Sequence, residues 1–277
     1  MKEVLIFILM VYPYFAYADM SKDEAIKFLK DKKVSYYQNS KTKKEIIRIE
    51  SGSRITDDDL KYLNIFTNIS DLSINSDMIT DSGIKNIGTI YSIRRLSLTG
   101  KKLTNLSLIN LEKLINIESL TIDGAQFSDE CLKNIANLNK LHHISLYGTN
   151  IKGEGLKNLN KRIKIIDLNE SSITDEGLKN ISELTDLTDL DLTKTKITDE
   201  GIKYLVNMRK MERLKLSNTI ITDKSIQYII EMMGNQNRED TFIEIYKTKI
   251  SRNGVRELLK AGIKVNCDYK DLSSEIP

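Results

Sequence analysis

Residues 173–192 read ITDEGLKNISELTDLTDLDL, and the motif that opens this stretch returns as ITDEGI at residues 197–202. The two copies begin at Ile173 and Ile197, so the interval between them is 197 − 173 = 24 residues. A self-similar unit of about 20–50 residues is typical of a stacked repeat array. The stretch therefore predicts further copies on both sides of it.

Paired apolar residues, separated by one residue, recur along the chain at nearly the same interval. The nine pairs are Ile47/Ile49, Leu72/Ile74, Leu96/Leu98, Leu120/Ile122, Ile144/Leu146, Ile166/Leu168, Leu190/Leu192, Leu214/Leu216 and Ile243/Ile245. One interval shortens near Arg162, and one lengthens at residues 234–240, a polar insertion with loop composition. About nine repeat units are predicted, over residues 46–262.

Each unit combines two periodicities. Leu190 and Leu192 alternate with a polar residue, as in a strand with one buried face. Thr198 is a typical N-cap residue, and the acidic residues after it favour a helix start through the helix dipole. Ile202 and Leu205 then recur at helical spacing. The unit is predicted to be a strand, a turn and a helix, and it buries its apolar face only by stacking on neighbouring units.

On these motifs the chain resembles the leucine-rich repeat family. It is most similar to repeats of the form L-x-x-L-x-L-x-x-(C/N/T)-x-I-T-D-x-G-L-x-x-L, which occur in cysteine-containing repeats of F-box proteins and in bacterial secreted proteins. The resemblance implies an α/β, right-handed leucine-rich-repeat solenoid shaped as a horseshoe. Its parallel sheet would form the concave face and its helices the convex face. The resemblance also implies protein–protein interaction, although such repeats serve many unrelated partners.

The position four residues after the apolar residue of each turn, usually isoleucine, is almost always small. Its occupants are Gly83, Ser107, Cys131, Gly155, Gly177, Gly201, Ser225 and Gly254, and Asp59 is the exception. This pattern predicts a close approach between the start of each helix and neighbouring backbone.

The ends of the chain differ from the repeats. Residues 1–18 are apolar after Lys2 and end in Ala16-Tyr17-Ala18, a small-x-small pattern that predicts a secretory signal peptide cleaved after Ala18. A membrane anchor is the alternative, but the run is short for a spanning helix. Residues 19–45 are predicted to form a helix and hairpin that cap the array, and residues 263–277 a closing strand and tail. The expected product is secreted, periplasmic or extracellular, without stable membrane insertion after cleavage.

Composition and motifs argue against several classes of function. The net charge of +3 comes from interleaved basic and acidic residues, which does not indicate nucleic-acid binding. His142 and His143 are the only histidines, and no phosphate loop, zinc-protease motif or nucleophile elbow occurs. We therefore expect no catalysis, no cofactor and no metal.

The two cysteines, Cys131 and Cys267, lie in the fourth unit and beyond the ninth. At about 5 Å per strand they are roughly 25 Å apart, whereas a disulfide needs Cα atoms within about 7 Å. No intramolecular bridge is predicted. Cys131 is expected to pack in the core, Cys267 to be free or to pair between chains, and the protein to be a monomer.

Strand residues that flank the buried pairs are expected to face outward on the concave sheet. In-register stacking predicts Asp189 beside Arg213 and Asp191 beside Lys215. These contacts are either a ladder of exposed ion pairs, each worth roughly 0–1 kcal/mol, or part of a recognition strip. A cation between Asp167 and Asp191 is disfavoured, because two carboxylates are few for calcium. The candidate binding residues are His143, Tyr147, Asp167, Asp189, Asp191, Arg213, Lys215 and Tyr246.

Three functions remain for comparison. The first is a noncatalytic exported protein that binds a protein partner through the concave face. The second is a structural or self-associating envelope protein. The third is an F-box-like ubiquitin-ligase adaptor or effector, which is disfavoured by the signal peptide and by the roughly 27 residues available before the repeats.

Overall fold

The computed structural model describes residues 20–124, 126–234 and 241–269. The predicted signal peptide, most of the 234–240 insertion and the end of the predicted tail lie outside these residues. Within them, eleven strands form one open sheet in sequence order. The strands are β1 (Ser35–Gln38), β2 (Glu45–Ile49), β3 (Ile69–Asn75), β4 (Arg95–Thr99), β5 (Ser119–Asp123), β6 (His143–Ser145), β7 (Ile165–Asp167), β8 (Asp189–Asp191), β9 (Arg213–Lys215), β10 (Phe242–Glu244) and β11 (Lys264–Asn266).

The sheet has the predicted parallel arrangement. β1 and β2 form an antiparallel hairpin, and every later neighbour pair is parallel. The register places Leu190 opposite Ile166 on one side and Leu214 on the other. All nine apolar pairs are buried and belong to one continuous core between sheet and helices. The predicted leucine-rich-repeat solenoid is confirmed.

The helical side is less regular than the sequence pattern predicts. The α-helices are α1 (Lys22–Asp31), α2 (Asp81–Lys85), α3 (Asp175–Ile181), α4 (Asp199–Tyr204), α5 (Ile226–Met233) and α6 (Arg252–Lys260). Other units have 3₁₀ helices, at Asp58–Ile65, Asn105–Leu111, Asp129–Ile135, Glu154–Asn158 and Asp223–Ser225. A unit of about 24 residues leaves room for only one or two helical turns, a length at which 3₁₀ geometry is common.

The small-residue position is confirmed as a point of close approach. A Cβ atom at Gly177 would collide with the carbonyl oxygen of Lys152 in the preceding unit, and one at Gly201 would collide with the Asp175 carboxylate. Cys131 occupies the same position and is fully buried. The units therefore stack with almost no space between the start of one helix and the turn before it.

A ladder of carboxylates joins successive units at this point. The aspartate of one I-T-D motif accepts hydrogen bonds from the backbone N–H and the hydroxyl of the Thr or Ser in the next. The pairs are Asp57 with Thr80, Asp81 with Thr104, Asp175 with Thr198, Asp199 with Thr222 and Asp223 with Ser251. We expected these aspartates to serve the dipole of their own helix, whereas their carboxylates reach the following unit.

The first unit is closed by α1 and the β1–β2 hairpin. Ser21 and Glu24 form a capping box at the start of α1. Glu45 is fully buried beneath them; Lys22 pairs with it and the Tyr36 hydroxyl donates to it at 3.1 Å. Because a buried charge is costly unless it is paired and hydrogen-bonded, these contacts are needed to hold the hairpin against the array.

Candidate functional site

The exposed side of the sheet, called the concave face below, consists of two columns of residues. Each buried residue at a strand centre has one neighbour before it and one after it on the opposite side of the sheet. The first column runs Asp71, Arg95, Ser119, His143, Ile165, Asp189, Arg213 and Phe242, and the second runs Ser73, Ser97, Thr121, Ser145, Asp167, Asp191, Lys215 and Glu244. The chemistry of this face is therefore set by single residues of successive units.

The structure brings six of the eight predicted binding residues to one depression. It has a volume of about 370 Å³ and spans β6 to β10. The six are His143, Asp167, Asp189, Asp191, Arg213 and Lys215. Two apolar residues that the sequence reasoning missed, Ile165 and Phe242, also line it. Both occupy first-column positions that are polar or charged in the other strands from β3 to β9. The sequence alone could have shown that these two positions are apolar where the equivalent positions of other units are polar or charged.

Two ion pairs cross the depression, as the register predicted. The Arg213 guanidinium pairs with Asp189, and the Lys215 ammonium lies 3.2 Å from an Asp191 oxygen. Asp189 also accepts a hydrogen bond of 2.5 Å from the Thr188 hydroxyl. Burial lowers the pKa of Lys215, but the Asp191 carboxylate raises it, and the net result is a raised pKa. The Lys215 side chain therefore carries its positive charge at neutral pH.

Asp167 has a different environment from the other two carboxylates. Its oxygens accept hydrogen bonds of 2.9 Å from the Ser145 hydroxyl and from the Asn169 backbone N–H. No lysine or arginine of the described ranges lies within ion-pair distance of it. Among the described residues, the lining thus carries three carboxylates and two cations, and Asp167 is the carboxylate that belongs to neither ion pair.

His143 forms the wall of the depression nearest β5. It is half-buried, and its Nδ1 lies 3.4 Å from the Ser119 hydroxyl. Burial lowers its pKa, as does the neighbouring His142, while Asp167 and Asp189 oppose that shift; the net pKa is below the ordinary value of 6.5. The ring is therefore neutral at pH 7 and contributes a polar, uncharged surface.

The two predicted tyrosines lie beside the depression rather than in it. Tyr147 follows β6 and hydrogen bonds to Glu170, which raises the pKa of the tyrosine. Glu170 in turn pairs with Lys194 at 2.6 Å. Tyr246 follows β10 and is 38% exposed. The two rings lie at opposite ends of one edge, four strand spacings or roughly 20 Å apart.

A second depression lies on the first half of the concave face. It has a volume of about 440 Å³, and its lining includes the hydroxyl side chains of β3 to β5 together with the charged residues Arg48, Asp71 and Arg95. Asp71 and Arg95 form an ion pair on the pattern of Asp189 and Arg213. The candidate list contained no residue of this depression, because it followed variation in side-chain type and these strands repeat Ser and Thr.

Other sites considered from the sequence can now be located. In the described ranges, no three His, Cys, Asp or Glu side chains group to hold a metal ion. Cys131 and Cys267 are both free thiols, and burial raises the pKa of Cys131 to about 12. An inert, neutral thiol is the expected state at that position.

None of the helices described is long and apolar enough to cross a bilayer.

Comparison with known families agrees with this geometry. The family model described as a leucine-rich repeat matches residues 183–206, which include β8 and the ITDEG turn that follows it. These residues match as one leucine-rich repeat, and the chain as a whole has the fold of a leucine-rich-repeat solenoid. The strand of the matched unit and the strands of the other eight units share one parallel register across the sheet.

Two solved structures of bacterial proteins resemble this one. The crystal structure of an internalin (inlF) from Listeria monocytogenes aligns with a TM-score of 0.54 and 18% identity, covering 76% of this chain and 70% of that chain. An internalin C2 (inlC2) from the same species aligns with a TM-score of 0.47 and 18% identity, covering 80% of each chain. At this identity the first likeness concerns the fold alone. A comparison with curated protein sequences found no match.

Proposed function

We propose that this leucine-rich repeat protein is a noncatalytic, exported binding protein that holds a protein partner against the second half of its concave face. The observation that carries the proposal is the depression between β6 and β10, where charged, polar and apolar side chains meet. Interface centres combine apolar and aromatic contacts with a few oriented polar groups, and arginine is enriched there.

The chemistry of the depression suits a protein segment. Phe242 and Ile165 offer apolar contact, while Asp167 offers a carboxylate without a cationic partner among the described residues. The pairs Asp189–Arg213 and Asp191–Lys215 are partly exposed, so each is worth roughly 0–1 kcal/mol and can be exchanged for contacts with a partner. The distance of roughly 20 Å between Tyr147 and Tyr246 accommodates one helix or loop.

Export rests on the sequence of residues 1–18. Their apolar run and the Ala16-Tyr17-Ala18 pattern support a secretory signal peptide that is cleaved after Ala18. Amino-terminal sequencing of the secreted material is expected to begin at Asp19. Membrane-bound protein that retains Met1 would show instead that the segment is an anchor.

Photo-crosslinking tests the binding face directly. A photoreactive phenylalanine analogue is placed at Phe242 in one variant and at the exposed Lys179 of α3 in a control variant. Each variant is irradiated with material from the compartment into which the protein is exported. We expect one discrete adduct from the Phe242 position and none from the Lys179 position. An adduct formed only from Lys179 would place the binding surface on the helical side.

A further inference from the structure

The helical side of the array carries an apolar surface in its second and third units. Tyr91, Leu106, Ile109 and Ile115 have exposed fractions of 53%, 58%, 47% and 57%. We call these four residues the convex patch. Leu106 and Ile109 lie three residues apart in the 3₁₀ helix Asn105–Leu111, a spacing at which side chains eclipse each other.

Two residues of the convex patch, Leu106 and Ile109, occupy positions that are polar in every other unit. The residue equivalent to Ile109 is Lys61, Lys85, Lys133, Lys157, Lys179, Lys203, Gln227 or Arg256, and the residue equivalent to Leu106 is Asp58, Ser82, Glu130, Glu154, Glu176, Glu200, Lys224 or Asn253. Sixteen solvent-side positions are thus polar, and only the third unit replaces both with aliphatic side chains. The repeats themselves show that the stacking geometry does not require an apolar residue here.

The loops of the two units bring Tyr91 and Ile115 next to each other. The Asn116 side chain donates a hydrogen bond of 2.8 Å to the Tyr91 carbonyl oxygen. The helical segments are equally close, because a Cβ atom at Gly88 would lie 2.7 Å from the Asn110 carbonyl oxygen. The four side chains therefore belong to one surface formed by two adjacent units.

Exposed lysines lie in the units that form and flank the convex patch. In later units the convex lysine pairs with a glutamate three residues earlier, as in Lys157–Glu154 at 3.2 Å and Lys179–Glu176 at 3.5 Å. Lys85, Lys113 and Lys133 are exposed, and none has a carboxylate within ion-pair distance in the described part of the chain. Glu112 and Glu130 are also exposed nearby, so the margin has a small excess of positive charge.

We infer that the convex patch is a second interaction surface and that its occupant is an amphipathic helical segment of a protein, with an apolar stripe flanked by Asp or Glu. Four half-exposed side chains amount to a few hundred Å², whereas a stable dimer buries roughly 800 Å² on each partner. The size therefore fits a short helix better than a second copy of this chain. The lysines at the margin are complementary to acidic residues beside an apolar stripe of i, i+3, i+4 spacing.

A selection from displayed random peptides of about 12 residues, three helical turns in length, tests this surface. The bait is the full chain, and binders are counter-selected on the double variant Leu106→Glu, Ile109→Lys. That variant has the residues of the fourth unit, Glu130 and Lys133, so it retains a side-chain pattern that the array already accommodates. Ile115→Asn, which copies Asn139, is a second variant in case the first fails to fold.

The expected binders have apolar residues at helical spacing and an excess of Asp and Glu. A synthetic copy is expected to lose about tenfold or more in affinity for Leu106→Glu, Ile109→Lys, and about threefold or more for Lys85→Glu, Lys113→Glu. It should bind the concave variant Arg213→Ala, Phe242→Ala with unchanged affinity, so failure here is separable from failure of the proposed concave site.

Three results would overturn the inference. In the first, the selected peptides bind the Leu106→Glu, Ile109→Lys variant as tightly as the wild type. In the second, no variant-sensitive peptide emerges and the wild type, but not the variant, co-sediments with phosphatidylglycerol vesicles; the occupant is then a membrane surface. In the third, sedimentation equilibrium shows a dimer that the variant abolishes, and the occupant is then a second copy of the chain.

Discussion

Asp175 of the sixth unit binds Thr198 of the seventh through both of its carboxylate oxygens. Oδ1 accepts the Thr198 backbone N–H at 2.9 Å, and Oδ2 accepts the Thr198 hydroxyl at 2.5 Å. The same hydroxyl accepts the Glu200 backbone N–H at 3.2 Å and so caps α4. One aspartate thereby links the start of its own helix to the start of the next helix by hydrogen bonds. The I-T-D sequence therefore stabilises the stacking of neighbouring units.

Replacing Asp175 with alanine is expected to destabilise the array. The change leaves the partly buried Thr198 N–H without its acceptor, which costs about 1–3 kcal/mol in the free energy of unfolding. The matched control is Glu200→Ala, whose exposed side chain makes only a 3.8 Å pair with Lys203 and should change stability by about 0.5 kcal/mol or less. Urea denaturation followed by circular dichroism measures both. Equal midpoints would show that the carboxylate ladder does not hold the units together.

Gly177→Ala is expected to be more damaging than most alanine substitutions. Its Cβ would collide with the Lys152 carbonyl oxygen, and backbone cannot move aside as a flexible side chain can. Forcing an atom into such a packed site typically costs about 1–3 kcal/mol. Gly52→Ala is the control, because a Cβ at Gly52 would meet nothing within 4 Å. A thermal shift of similar size in both variants would contradict the close approach.

Leu192→Ala tests the strand register. Leu192 directly follows β8 and is fully buried, and removing its side chain should cost about 2–5 kcal/mol. Thr193→Ala, one residue further on, should cost less than about 0.5 kcal/mol, because Asp191 bonds the backbone N–H of Thr193 and not its side chain. The measurement is the denaturation midpoint of each variant. A cost at Thr193 equal to that at Leu192 would mean that the two faces of the strand are exchanged.

The titration of His143 should make stability depend on pH. Burial holds its pKa below 6.5 in the folded chain, so folding favours the neutral ring. That contribution is complete above the unfolded pKa of about 6.5 and is lost as pH falls through the folded value. We expect the unfolding free energy of the wild type to fall on acidification from pH 7.5 toward about 5 more steeply than that of His143→Gln. Parallel pH profiles for the two proteins would mean that His143 is solvated, and an NMR titration of its ring would then give an unshifted midpoint.

The fold could be predicted from the sequence because the same unit recurs along the chain in phase. Burial of Leu190 and Leu192 follows from strand periodicity, and nine copies in phase fix the register between units. The close approach at Gly177 could be predicted because the same position is small in nearly every unit. What a single unit cannot reveal is which neighbour a side chain reaches, so Asp175 was assigned to its own helix although it bonds Thr198 of the next.

The candidate site was predicted only in part. The register placed Asp189 beside Arg213, and the structure confirms that contact. Ile165 and Phe242 were missed because the search followed charged residues, histidine and tyrosine and neglected apolar exceptions to a polar column. Whether Tyr147 contacts a partner depends on the path of that partner over the edge of the sheet, which no pattern in the sequence specifies.

The last prediction concerns affinity at the concave site. Arg213→Ala, Phe242→Ala removes one cation and one aromatic ring from the depression while leaving the buried strand residues unchanged. With the partner identified by crosslinking, we expect this variant to lose about 2 kcal/mol or more of binding free energy, as truncation of interface anchors typically does. Its circular dichroism spectrum should match that of the wild type.

Two further variants locate the effect. Tyr147→Ala should weaken binding less than the double variant, because its ring lies beside the depression and pairs with Glu170. Lys179→Ala, Lys203→Ala changes two exposed side chains of α3 and α4 and should bind normally. Isothermal titration calorimetry compares the series. Wild-type affinity in the Arg213, Phe242 variant, together with weakened binding in the Lys179, Lys203 variant, would move the binding site from the concave face to the helices.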